Sequence, residues 1–225
     1  MTVDRVKRKA WMDQQSALRP MLEKGTDPEK GLGICLSQHA QLHTNAIANE
    51  PWSFQDEVLE KTSDTLFRRI PKGMEHSMAW ALWHAARIED TALNILVAGT
   101  EMVLDEGGWN AKMGVKPRDT GNAMGKSKIN AISKQINLEQ LLAYRLAVGK
   151  RTQEIIKGLN PSELRQKVQQ ERLIKLTDEG IVVPNAYGLI EYWGNRTIAG
   201  LLLMPATRHN FVHLNEMVKI KKRRM

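Results

Sequence analysis

The chain has a single cysteine, Cys35. No internal disulfide can form, and a lone thiol fits a reducing compartment. Long apolar runs are also missing. The apolar stretch Ile198–Met204 falls far short of the roughly 20 residues a helical bilayer span requires, so no membrane association is expected. The basic segment Met1–Arg8 is not followed by an apolar run, so no secretory signal is expected and the expected location is the cytoplasm. Aromatics make up only 5%, with Trp (6) outnumbering Tyr (3) and Phe (3). β-branched runs are scarce, whereas Ala, Leu, Met, Gln, Lys and Glu are frequent, a balance that favours helix over strand.

What is present suits one globular domain. The chain has 225 residues, 42% of them apolar, enough to bury a core without disulfide or metal staples. Net charge is +8, much of it in Arg5-Val-Lys-Arg-Lys9 and Lys219-Ile-Lys-Lys-Arg-Arg224. Solvated helix ends account for both runs, since cations in a last turn complement the helix dipole. A nucleic-acid contact is the sharper alternative. No groove-reading motif and no interleaved aromatics support it.

Local punctuation marks out helices. Asp27-Pro28-Glu29 reads as a helix start, with Asp27 the cap and Pro28 at the first helical position. The helix is expected to run to about Asn49, stopped by Pro51, with Leu32, Leu36, His39, Ala40, His43 and Ile47 on one face. Ser53 and Asp56 resemble a capping box for a short helix ending near Arg69. A long helix is expected over about 75–98, closed by Gly99, with Ser77, Trp80, Ala81, His84, Ile88, Ala92 and Ile95 as its inward stripe. The Gly-, Asn- and Lys-rich segment 105–125 reads as a long loop. Asn137 caps a helix from Leu138 to about Lys157. Thr177–Val183 is the one plausible extended piece. A last helix begins near Arg196 and is expected to bend or restart at Pro205. Before residue 28, a basic helix from about Val3 to Glu23 is expected, interrupted at Pro20. Four long helices (about 28–49, 75–98, 138–157 and 196–221) predict an all-α, elaborated four-helix bundle.

Five of the six histidines, His39, His43, His84, His209 and His213, fall on these apolar stripes. Imidazole is a poor core filler because both ring nitrogens want partners. His209 and His213 are four residues apart, so they share a helix face and can reach one ion. His84, on another helix, supplies a third nitrogen, and three protein ligands leave a position open for water or substrate. One divalent ion is therefore expected between His84 and the His209/His213 pair. Glu216 continues the same face and is expected either to orient a ligand or move a proton, or else to pair with Lys219 or Lys221. His39 and His43 form a second HxxxH. The sharper reading is an extra ligand, a proton shuttle or a second metal, with His43 the better candidate of the two; hydrogen-bonded core histidines account for the pair best. Trp80, Trp83 and Tyr192 suit core packing or an apolar pocket wall. Cys35 has no evident activating partner.

Two stretches carry a family resemblance. Ser77-Met-Ala-Trp-Ala-Leu-Trp-His-Ala-Ala-Arg-Ile-Glu-Asp90 resembles the second-helix segment of DinB-like (damage-inducible, YfiT-like) proteins. Leu201-Leu-Leu-Met-Pro-Ala-Thr-Arg-His-Asn-Phe-Val-His-Leu-Asn-Glu216 resembles their closing helix, and Tyr144-Arg-Leu-Ala-Val-Gly149 is similar to one branch. The resemblance implies a four-helix bundle with a three-histidine metal site, at His84, His209 and His213 here. It implies nickel or zinc, with iron or manganese as further choices, and a homodimer. It implies a small-molecule substrate: some relatives transfer a low-molecular-weight thiol such as bacillithiol or mycothiol, others resemble hydrolases. The chain departs from the simple pattern. Residues 1–225 are expected to form a single DinB-like domain with an N-terminal extension about 1–27 and insertions about 105–135 and 160–195. The expected function is a divalent-metal-dependent enzyme, a thiol S-transferase or hydrolase, with His43 and Glu216 as proton-transfer groups. The alternatives are a non-catalytic metal-binding stress-response protein and a basic nucleic-acid-associated helical protein.

Overall fold

The computed structural model describes residues 4–48 and 50–223. Met1, Val3, Asn49 and Arg224, named above as ends of segments, lie outside the described residues. Helix α1 (Arg5–Glu23) is capped by Asp4, whose carboxylate accepts from the Val6 and Lys7 amides. It passes through Pro20 without a break: the proline leaves the Ser16 carbonyl without its helical amide, but the Lys24 amide still closes the last turn on the Pro20 carbonyl. Helix α2 (Pro28–Ala40) begins at the Asp27 cap and ends earlier than its apolar periodicity suggests. His43 and Ile47 therefore sit on the turns that follow it. Two short helices, α3 (Phe54–Leu59) and α4 (Asp64–Arg68), follow, each capped by a serine.

Helix α5 (Met78–Asp90) is the centre of the molecule. Ser77 caps it, and every residue in it is buried. A helix buried on all sides must pair its polar groups internally, and this one carries His84, Arg87, Glu89 and Asp90. It continues as a π-helical segment, Thr91–Ala98, which ends where Gly99, at φ 71°, adopts the left-handed conformation and sends its amide back to the Asn94 carbonyl. Buried Asp90 anchors the next segment by accepting from the Val103 and Leu104 amides, both at 2.9 Å. The stretch expected as a long loop thus contains two short helices, α6 (Val103–Glu106) and α7 (Trp109–Met113), the first tied to Asp90.

Helices α8 (Lys126–Gln135) and α9 (Leu138–Gly158) come next, α9 capped by Asn137 as its sequence predicts. Helix α10 (Gln170–Asp178) occupies the start of the piece expected to be extended. The chain then turns at Gly180, and the amides of Ile181 and Val182 return to the Leu176 carbonyl. Leu173, Leu176, Ile181 and Val182 are all buried, so the apolar run closes a helix end rather than forming a strand. After α11 (Gly188–Gly194), the chain enters α12 (Ile198–Leu201), a π-helical segment Leu202–Arg208 and α13 (His209–Lys222). Pro205, where a bend or restart is expected, lies inside the π-helical segment, so the register changes around it. The wider register absorbs a residue that lacks an N–H and would crowd the carbonyl four positions back.

The architecture is all-α. Among the described residues there is no named strand, and one isolated bridge joins Lys167 to Thr197. Helices α2, α5, α9 and α13, with their π-helical extensions, pack as the bundle, and α1 lies against α2 and the last helix. No helix among the described residues is long and apolar enough to cross a membrane. Trp83, Trp193, Tyr144, Phe54 and Met78 anchor a single hydrophobic core, each such side chain contributing about 1.5–3 kcal/mol on burial.

Candidate metal centre

Helices α5 and α13 make the most extensive contact in the bundle, and three histidines meet across it. His84 projects from the middle of α5, His209 from the first turn of α13, and His213 from the turn after it. The ring centroids lie 5.1 Å apart for His84–His209, 5.0 Å for His84–His213 and 4.6 Å for His209–His213. One ring nitrogen from each lies within 4.8 Å of the other two.

Their hydrogen bonds determine where the protons sit. His84 Nδ1 lies 2.6 Å from the Thr120 carbonyl, which can only accept, so Nδ1 carries the hydrogen and Nε2 the lone pair. His213 Nδ1 lies 2.9 Å from Glu216 Oε2, and the other Glu216 oxygen lies 2.8 Å from His76 Nδ1. Burial disfavours charge on Glu216, but the bonds to His213 and His76 outweigh it and hold its pKa down to about 2. An ionised carboxylate only accepts, so His213 carries a hydrogen on Nδ1 and faces the cluster with Nε2. That atom sits 3.2 Å from His209 Nε2, while His209 Nδ1 is buried without a partner. Burial, reinforced by His213, pushes His84 down to about 3, and the same two causes hold His209 well below its ordinary range. His84 and His213 each hold Nδ1 in an outward hydrogen bond and turn Nε2 inward, with His209 Nε2 in hydrogen-bond contact with His213, an arrangement that suits a divalent cation. The residues fit the ion that the sequence implies.

Trp80 supports the cluster from one side. It stacks on His84 at 4.7 Å and on His76 at 4.0 Å, and meets His213 edge-on at 6.4 Å. His76 lies outside the apolar stripes, just before α5, and only the packed structure brings it to Glu216. Thr120 lies between α7 and α8 and is held by the turn after α10. Its amide donates to the Ile181 carbonyl at 3.1 Å, and nearby Arg118 pairs with both Asp105 and Glu179.

His39 and His43 are in a second buried cluster with Glu89. His39 Nε2 lies 2.7 Å from Glu89 Oε1, and His43 Nε2 lies 3.0 Å from Oε2. Proximity alone would allow a metal here too, but proton placement separates the two clusters. Gln153 Nε2 donates to the Leu36 carbonyl at 2.9 Å and lies 2.8 Å from His39 Nδ1. His39 Nδ1 is thus an acceptor, and its hydrogen is on Nε2, pointing at Glu89. Burial opposes ionisation of Glu89, yet His43 and His39 together hold its pKa well below the ordinary carboxylate range. His43 must then donate through Nε2 as well, which leaves its buried Nδ1 without a partner. This cluster presents hydrogens where the other presents lone pairs. His43 therefore lies apart from the three converging rings. Glu89 and Asn210 escaped the periodicity because neither is apolar; charged residues in the all-buried α5 were the available signal.

An all-helical bundle whose two central helices bring together three imidazoles defines a class: helical bundles with a metal-type histidine cluster between their helices. The chain belongs to the DinB superfamily, whose family model matches residues 52–217. Membership and the His84/His209/His213 cluster together are compatible with a metal-binding protein. No curated protein matches the chain.

Proposed function

We propose that the protein holds one divalent ion on His84, His209 and His213 and uses it in thiol transfer or hydrolysis on a small molecule. The observation that carries this reading is the proton placement: the Thr120 carbonyl and Glu216 take the Nδ1 hydrogens of His84 and His213, which leaves their Nε2 lone pairs for a ligand. A divalent ion bound there lowers the pKa of a thiol or water at its open position. Nickel and zinc suit three imidazoles best among the choices, with iron and manganese next.

The chain's own residues would do the rest. Glu216 holds the His213 ring in one tautomer, and His76 steadies the far oxygen of that carboxylate. Trp80 stacks on His84 and keeps bulk water from that side. Asp119, Met124, Lys128, Val183 and Pro184 line a surface cavity of about 300 Å³ beside the Thr120 segment. Both insertions contribute to it, and its size suits a small substrate.

Elemental analysis of untagged protein, with His84→Ala and His209→Ala alongside, tests the site. About one ion per chain, lost in both variants, is expected. A parent that stays metal-free after reconstitution with nickel, zinc, iron and manganese would sink the reading.

A further inference from the structure

Three imidazoles bring no negative charge of their own to a divalent ion; Glu216 supplies one at the His213 end, and a carboxylate on the His209 side would compensate the ion further. A fully buried carboxylate on that side is one the cluster does not use. Glu89 sits five residues after His84 on α5 and is 0% exposed. Besides the two histidines, it accepts from Asn210 Nδ2 at 2.7 Å. Its three side-chain donors are thus two imidazole N–H groups and an amide. Among the described residues no Lys or Arg pairs with it directly. Its negative charge is fixed by hydrogen bonds and left without a contacting cation.

Asn210 makes this a matter for the metal centre. It follows His209 directly, and its side chain joins α13 to α5 through Glu89. The same amide nitrogen reaches the Pro205 and Ala206 carbonyls of the π-helical segment, both at 3.2 Å. Its oxygen accepts from Arg145 Nη1 at 2.8 Å. The orientation of the first turn of α13 is therefore tied to Glu89. Both buried charges, Glu89 and Arg145, thus meet at the side chain that directly follows His209.

We propose that Glu89 is the positioning residue and buried counter-charge of the metal centre, held by His39 and His43 and acting on His209 through Asn210 and through its charge. The inference rests on the three-histidine reading above. It gives the second cluster a role without a second ion: two neutral histidines keep one carboxylate ionised in the core.

The test measures ion affinity by chelator competition, for Zn²⁺ and for Ag⁺, in the parent, Glu89→Gln and Arg145→Gln, with circular dichroism as the check on folding. His43 can accept from the new amide by moving its proton to the unpartnered Nδ1, although Asn210 then faces a second donor. Glu89→Gln is expected to weaken Zn²⁺ binding by roughly 10–100-fold, the usual effect of removing an outer-sphere partner. The loss for Ag⁺, in log units, is expected to be about half as large, because Coulomb energy scales with ion charge. Arg145→Gln is expected to tighten Zn²⁺ binding. An unchanged affinity in Glu89→Gln, or an equal loss for the two ions, overturns the proposal. If Glu89→Gln does not fold, the sign in Arg145→Gln decides, and an unchanged or weakened affinity overturns it. A parent that binds no ion overturns the three-histidine reading and this one with it. A parent that loses its ion in His84→Ala but binds it with unchanged affinity in Glu89→Gln overturns the Glu89 role alone.

Discussion

At the scale of single residues, burial and hydrogen bonding decide what each reactive group can do. Cys35 is fully buried, and desolvation pushes its thiol up to about 12. The thiolate is the nucleophile, so Cys35 is expected to stay unmodified by a disulfide-exchange reagent in the native protein at pH 8. It should react fully after denaturation, and rapid native labelling would remove this account of its environment. Glu216 illustrates the opposite balance. The surface pairing with Lys219 or Lys221 that its position allowed is not what the packing produces; its oxygens serve His76 and His213 instead.

At the scale of elements, close approach and helix register place the histidines. Gly149 lets α9 lie against the segment that follows α2. A Cβ there would sit 2.2 Å from Ile47 Cδ1 and 2.7 Å from His43 Nδ1. The Ile47 tip can swing aside, but the His43 ring is held by Glu89. Gly149→Ala is therefore expected to cost about 1–3 kcal/mol, seen as a fall in thermal midpoint of roughly 2–10 °C. An unchanged midpoint would show that the His43 side of the core can relax. The π-helical segments work at the same scale. Leu202–Arg208 carries Pro205 within a continuous helix and delivers His209 and His213 to the face that meets His84. The apolar stripe and the HxxxH spacing were legible in the sequence because both depend on local periodicity. The π register was not, because it arises from the proline and from Asn210 and Thr207 bonding to backbone carbonyls of that segment.

At the scale of the whole molecule, buried neutral histidines couple stability to pH. Burial holds His43 down to about 3, against the opposing pull of Glu89. In the unfolded chain a histidine titrates near 6.5. Between those values the unfolded state binds a proton that the folded state does not, so stability falls as pH falls through about 6.5 towards 3, and it is fully present above that window. The urea midpoint is expected to be lower at pH 5 than at pH 7.5, and His43→Gln should shrink that difference. An identical pH dependence in the variant would place the proton uptake elsewhere. Long-range ties also act at this scale, since Arg118 joins Asp105 to Glu179 and the nearby Thr120 carbonyl meets His84.

Helical class, three of the four long helices, most caps, and the convergence of His84 with the His209/His213 pair were legible in the sequence. Each follows from local signals: a 3.6-residue period, a capping side chain, a four-residue histidine spacing and a resemblance carried by two helices. What only the tertiary structure decided is how polar groups far apart in the chain meet. Glu89 meets His39, His43 and Asn210, Glu216 meets His76, and Thr120 meets His84. Those contacts set which nitrogen of each imidazole carries its proton, and so which cluster offers lone pairs to an ion. The reason is physical: periodicity shows which face of a helix is buried, but a buried polar group is satisfied by whatever partner packing brings to it, often from a distant part of the chain.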